Sequence, residues 1–332
     1  MNGGWGGLRR SFLLRALLAF AALLPVAVLA QQYPSKPVRM VLPYPPGSGT
    51  DVISRIVAQQ LSAQLGQSVV VENRPGATGA IGIESVVRSP ADGYVLLFSP
   101  NSPITTSPHL NPVTFDVRKD LDPVALVANG NFLLVGHPSL PFRTLGDMIS
   151  YAKRNPAKLT FASGGSGSQS HMNFQMVKTG AGIDVLHIPY KGGGPAAIDV
   201  LAGHVHFLFE SLPIMLPHIR AGKLRAFGVS TVQRNAFLPD VPPIIETVKS
   251  FNIQIANPWY GVFAPAGTPD AVLRKLNSEL HKAFHDPELQ RRLPEGGFVA
   301  APNTTPAEFR DFLLTNFEQV GKFIASQGIK GQ

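Results

Sequence analysis

Cysteine is absent from all 332 residues. Disulfides and thiolate chemistry are thereby excluded, and a hydrophobic core must hold the fold. Tryptophan occurs twice and tyrosine six times, and the lysines and arginines are scattered. Without an aromatic-interleaved basic stripe, the composition argues against a nucleic-acid partner. Long apolar runs are missing too. The best candidate, Ala16–Leu29, spans about 14 residues broken by Pro25, short of the roughly 20 that a spanning helix needs. Enzyme signatures are also lacking: Ser166 is followed by Gly167-Ser168, so no G-x-S-x-G elbow forms, and neither a P-loop nor a G-x-G-x-x-G fingerprint occurs. The expectation is a protein that is not an enzyme and uses no cofactor, with an exported hydrolase as the remote alternative.

What is present begins with an export segment. Arg9, Arg10 and Arg15 precede Ala16–Leu29, and Val28-Leu29-Ala30 ends in a small residue before Gln31. This is a cleavable signal peptide over 1–30, and its Arg9-Arg10 pair leaves the Sec and twin-arginine routes both open. The formal charge of +8 includes those three arginines, so the mature chain carries +5. A mild positive field helps draw in an anionic solute.

Three times a strand-like run ends in a glycine- and serine-rich loop and restarts as a helix. Val38–Tyr44 leads through Pro45–Asp51, Leu159–Ala162 through Ser163–Ser170, and Val185–Pro189 through Tyr190–Gly194. A helix N-terminus offers unpaired N–H groups and a partial positive charge, which makes each junction an anion site. These junctions supply the candidate ligand residues. They are Tyr44, Gly47, Ser48 and Thr50 in the first loop, then Ser163, Ser166, Gly167, Ser168, Ser170 and His171 in the second. Ser99 and Asn101, beyond the strand Tyr94–Phe98, and Tyr190 and Lys191 in the third loop are added, because ligands sit beyond the carboxyl ends of such strands. Thr50 is a ligand donor or a helix cap. Asp51 caps its own helix or meets an ammonium group. Lys191 pairs with a carboxylate or is solvated, and Glu210 binds an amine or is ordinary loop polarity. His204/His206 and His281/His285 have spacings that could begin a zinc site, but no third ligand accompanies either pair, so no metal is expected.

Elsewhere strands and helices alternate. Ser68–Glu72, Tyr94–Phe98, Phe132–Val135, Val205–Phe209, Leu224–Val229 and Trp259–Ala264 read as strands. Asp51–Leu65, Thr144–Lys153, Pro269–Phe284 and Pro306–Gln327 read as helices, the last opened by Thr305-Pro306-Ala307-Glu308. The order β-α-β-α-β predicts α/β lobes with mainly parallel sheets flanked by helices.

Pro43–Asp51, Val71–Ala77, Asp92-Gly93-Tyr94 and Ile188–Ala196 resemble the Bug family, the periplasmic substrate-binding proteins of tripartite tricarboxylate transporters. The resemblance spans the mature chain. It implies a monomeric, type II-like clamshell in the periplasm, with lobe 1 over 33–131 plus 257–332, lobe 2 over 132–256, and a cleft gripping a small carboxylate. A dicarboxylate, tricarboxylate, amino acid or aromatic acid would then pass to membrane transporter subunits; the alternative partner is a membrane sensor kinase. Ser48 stands where the family usually has a third glycine, and Glu210 where it usually has aspartate.

Overall fold

A computed structural model describes residues 33–295 and 297–330; the signal peptide expected over 1–30 lies outside them. The eleven strands among the described residues are β1 (Val38–Leu42), β2 (Val69–Asn73), β3 (Val95–Pro100), β4 (Leu121–Gly130), β5 (Phe132–Gly136), β6 (Thr160–Ser163), β7 (Leu186–Pro189), β8 (Phe207–Ser211), β9 (Arg225–Val229), β10 (Trp259–Pro265) and β11 (Phe298–Ala300). They form two sheets, ordered β11-β4-β10-β3-β1-β2 and β7-β6-β8-β5-β9. The helices that matter here are α1 (Gly49–Leu65), α2 (Ala80–Val87), α3 (Leu145–Arg154), α4 (Gln169–Ala181), α5 (Gly193–Leu201), α6 (Leu212–Arg220), α7 (Asp270–Phe284), α8 (Pro287–Glu295) and α9 (Pro306–Gln327).

The two-lobed α/β expectation holds, with one correction. The sheets are mixed rather than mainly parallel. β1 pairs in parallel with β2 and β3, but β10 and β4 run antiparallel to their neighbours. In the second sheet β6 is parallel to β7 and β8, while β5 is antiparallel to β8 and β9. The parallel strands are those followed by a crossover helix. The antiparallel ones arise where the chain leaves one sheet and enters the other: β4 runs into β5 through the single residue Asn131, and the chain returns between β9 and β10. At the joint, Gly130 N–H donates to Pro258 O at 2.7 Å, and Ser230 Oγ lies 2.6 Å from Asn257 Oδ1.

Side-chain alternation splits the second lobe's core across its sheet. Phe207 and Phe209 join Phe161, Phe174 and Phe227 on one face, while Leu208 joins Leu133, Val135 and Val200 on the other. Trp259 and Phe263 of β10 pack with Val41, Leu97, Phe309 and Leu313 in the first. The last helix, α9, starts in a capping box: Thr305 Oγ1 accepts from Glu308 N–H, and Glu308 accepts from Thr305 N–H. Its first half carries Phe309 and Leu313 into the first core, and its second half carries Val320 and Ile324 into the second. One rigid helix thus braces both lobes.

Gly261 lets Phe309 of this helix lie directly on β10, since a Cβ there would overlap the phenyl ring. Gly261→Ala is expected to destabilise the protein by about 1–3 kcal/mol through overpacking. Thermal unfolding should register this as a drop of several degrees, about 2–4 °C per kcal/mol.

Candidate functional site

A cavity of about 430 Å³ opens between the carboxyl ends of the two sheets. On the first lobe its wall is Pro43, Tyr44 and Pro45 after β1, Pro75, Gly76, Thr78 and Gly79 after β2, and Ser102, Ser107, Leu110 and Asn111 after β3. On the second lobe it is Phe132, the whole stretch Gly164–Ser170, Gly192, Gly193 and Glu210.

The three loop–helix junctions differ in what already fills them. At the first, Ser48 is the N-cap of α1, its Oγ accepting from Asp51 N–H at 3.2 Å; Thr50 lies inside the helix. The Asp51 carboxylate turns back to accept from Gly47 N–H at 3.0 Å and also takes bonds from Asn73 Nδ2 and Arg55 Nε. Burial opposes its ionisation, yet the bonds from Arg55, Asn73 and Gly47 prevail and hold its pKa at about 2. The chain's own anion therefore sits at this helix start. Neither Gly47, Ser48, Thr50 nor Asp51 lines the cavity, and only Tyr44 of the first-loop candidates does. Burial raises the pKa of Tyr44 to about 12, with Ser102 opposing it more weakly, so the phenol stays protonated.

The second junction has no internal carboxylate. Ser168 caps α4, its Oγ accepting from His171 N–H at 3.3 Å, and Gly164 N–H donates to Ser170 Oγ at 3.0 Å. The first turn leaves the N–H groups of Gln169 and Ser170 to be met from outside the helix. Gly165 and Gly167 adopt positive φ, +122° and +75°, which turns the loop toward the cavity.

Two imidazoles hold this loop from behind. Gly167 N–H donates to His171 Nδ1 at 3.0 Å, and Ser163 Oγ lies 2.6 Å from His187 Nε2. The rings stack with centroids 4.1 Å apart and planes 4° from parallel. Burial pushes both down to about 4, helped by Lys178, so both are neutral at pH 7. Ser163 and His171, expected at the ligand, are buried supports of the loop rather than lining residues.

At the third junction, Tyr190 hydrogen-bonds Asp199 and Lys191 is exposed; neither lines the cavity. α5 begins at Gly193, two residues ahead of Pro195. Glu210, at the end of β8, reaches this helix start instead. Ser99 is fully buried, its Oγ donating to Pro100 O, and Asn101 Nδ2 donates to Gln169 Oε1 at 2.9 Å. Gln169 in turn donates to Asn173 Oδ1 and Ile255 O, tying the floor of the cavity together. The paired histidines are also occupied. His206 Nδ1 accepts from Thr160 N–H at 3.1 Å, and His281 Nε2 lies 2.8 Å from Thr304 O.

Sequence reasoning omitted the wall after β2 and β3. Gly76 and Gly79, at φ +126° and +98°, carried a readable turn signal; Ser102–Leu110, with two prolines, carried none.

Residues 53–329 match the model of the tripartite tricarboxylate transporter family receptor. The chain is 36% identical over 309 residues to Protein BugT of Bordetella pertussis, covering 91% of this chain and 93% of that one. Among solved structures, R. palustris Rpa4515 with adipate superposes with a TM-score of 0.79 at 30% identity, covering 90% of this chain and 100% of that one. MatC from Rhodopseudomonas palustris, solved with bound malate, gives 0.74 at 26% identity over 88% of this chain and 100% of that one.

Proposed function

The chain belongs to the tripartite tricarboxylate transporter receptor family, and from that premise we propose that it captures a small carboxylate in the 430 Å³ cavity and delivers it to membrane subunits of such a transporter. Receptors of this family are periplasmic solute-binding proteins, and two structural relatives were solved with the dicarboxylates adipate and malate. The observation that carries the reading is the second junction. Gly164–Ser170 presents backbone donors and hydroxyls to the cavity at the start of a 13-residue helix, with none of the chain's own carboxylates in place. In this reading the lobes are 33–131 plus 257–330 and 132–256, joined at Asn131 and Asn257 and bridged by α9.

Each hydrogen bond from a neutral donor to a carboxylate contributes roughly 1.5–3 kcal/mol. Three or four exceed the several kcal/mol lost in ordering the solute and the lobes, and a dissociation constant near micromolar, about −8 kcal/mol, follows once apolar contacts are added. A solute at one hundred times that constant stabilises by about 2.7 kcal/mol, an expected rise of about 5–10 °C in melting temperature. A thermal-shift panel of dicarboxylates, tricarboxylates, amino acids, aromatic acids and sugars checks it. Shifts with sugars and none with any carboxylate would overturn the reading.

A further inference from the structure

The cavity that offers donors along Gly164–Ser170 also contains a carboxyl group of its own. Glu210 lines it at the end of β8, beside β6 in the sheet, so the glutamate and the donor loop share one wall. Its described hydrogen bonds come from its neighbour: Ser211 N–H donates to Glu210 Oε1 at 2.7 Å. No arginine, lysine or histidine forms an ion pair with it among the described residues. The other oxygen, Oε2, lies against Gly193, where any Cβ would collide with it. Gly193 is the first residue of α5, so the junction that reads as a third anion site in the sequence already faces an acid. The phenols nearby, Tyr44 and Tyr260, are held protonated by burial, and Glu210 adds to that effect on Tyr260. Burial raises the pKa of Glu210 itself, as expected of a carboxyl group that lacks a cation.

We propose that Glu210 determines specificity, favouring a solute that carries a protonated amine together with its carboxylate over a matched diacid. This rests on the carboxylate reading above. The carboxylate takes the free N–H groups at the start of α4, and the ammonium group supplies Glu210 with the cation that the chain withholds. A charged acid in a cavity is strongly destabilised without a partner, and a solute ammonium removes that penalty while gaining a charge-assisted bond. A second carboxylate in the same place would set like charges together until one of them took up a proton. Glu210, one methylene longer than aspartate, reaches over Gly193 and covers the N-terminus of α5, so a second anion finds no free helix start there.

The test is calorimetric titration of the purified protein with two matched pairs, succinate against 4-aminobutanoate and glutarate against L-glutamate. Wild type and Glu210→Gln are compared, with thermal unfolding confirming that both are folded. The expected result is at least tenfold tighter binding of the nitrogen-bearing member by wild type. In Glu210→Gln that preference should disappear, by a tenfold loss for the amine and an equal or tighter constant for the diacid. Glu210→Asp should retain part of the preference. Diacids bound as tightly as their amino counterparts by wild type, or an unchanged preference in Glu210→Gln, would overturn the proposal while leaving the carboxylate reading intact. The same holds if none of the four binds while other carboxylates stabilise the protein. If no carboxylate of any kind binds, it is the carboxylate reading that fails, and this inference goes with it.

Discussion

Replacing Gly167 by leucine is expected to weaken carboxylate binding about 100-fold or more, in a protein that still unfolds cooperatively. Three effects converge on this residue. Its φ of +75° is a left-handed conformation that costs an L-residue roughly 1–2 kcal/mol. A Cβ would run into Cδ1 of Leu110, which belongs to the opposite wall, so the new side chain would wedge the cavity open. Relaxing either strain moves Gly167 N–H off His171 Nδ1 and displaces the loop that leads into α4. Losing two bonds to a charged carboxylate at roughly 1.5–3 kcal/mol each gives a loss of about 3–6 kcal/mol, beyond two orders of magnitude in affinity. Gly167→Ala keeps the φ penalty with a smaller wedge and should fall between. Titration with the strongest carboxylate of the thermal-shift panel measures the loss. Wild-type affinity in a folded Gly167→Leu protein would show that the loop does not approach the solute.

The loop was legible for the reason that makes it sensitive. Glycine and serine clustered between an apolar run and a helical pattern are a local signal, and local signals survive in sequence. The same holds for the caps at Thr144 and Thr305, whose side chains do accept the N–H three residues on. The strand β4 and the helix α6 were not legible, because proline punctuates both. In β4, Pro123 sits where the ladder with β10 shifts register between Val262 and Phe263, so the missing N–H falls at an irregularity. In α6, Pro213 occupies the first turn, where its lack of an N–H is harmless, while Pro217 lies inside the helix, where tertiary packing overrides propensity. The polar candidates divided in a similar way. Whether a serine, aspartate or histidine near a loop faces a solute or supports the backbone depends on partners far away in sequence. Asp51 is taken by Asn73, Asn101 by Gln169, and Ser163 by His187, pairings 22, 68 and 24 residues apart. The alternation of strands and helices could not report strand direction at the crossings, which is why a mainly parallel sheet was expected where mixed ones occur.

Acidification from pH 6.5 to 4 is expected to remove several kcal/mol of stability, and His171 and His187 are the principal cause. Both rings are held near 4 in the folded protein by burial, with Lys178 and their mutual proximity adding to it, against about 6.5 in the unfolded chain. The sign follows from proton uptake. Above pH 6.5 both states carry neutral rings, and the full stability is present. Between 6.5 and 4 the unfolded chain takes up protons that the folded one refuses, so unfolding becomes easier with each step down. Below 4 both states are protonated and the loss levels off. At about 1.4 kcal/mol per pH unit, His171 alone accounts for on the order of 3 kcal/mol, and His187 adds less than the same again, since the two rings share one stack. Asp51, held at about 2, contributes only at lower pH, where free carboxylates begin to titrate. His109 and His206 are also held below their ordinary value, so a variant is needed to isolate the pair. His187→Phe removes one titrating ring while keeping the stack on Phe161, now 4.6 Å from His187. Melting temperatures of wild type and His187→Phe at pH 7, 5.5 and 4.5 should diverge in slope, the variant losing distinctly less on acidification. Parallel slopes would mean that His187 is not among the groups that resist protonation. Solute affinity in wild type should hold down to about pH 5 and fall only as the pH approaches 4, where the folded protein itself takes up the proton: a protonated Nδ1 on His171 becomes a donor and can no longer accept from Gly167, which releases the loop that presents its N–H groups to the carboxylate.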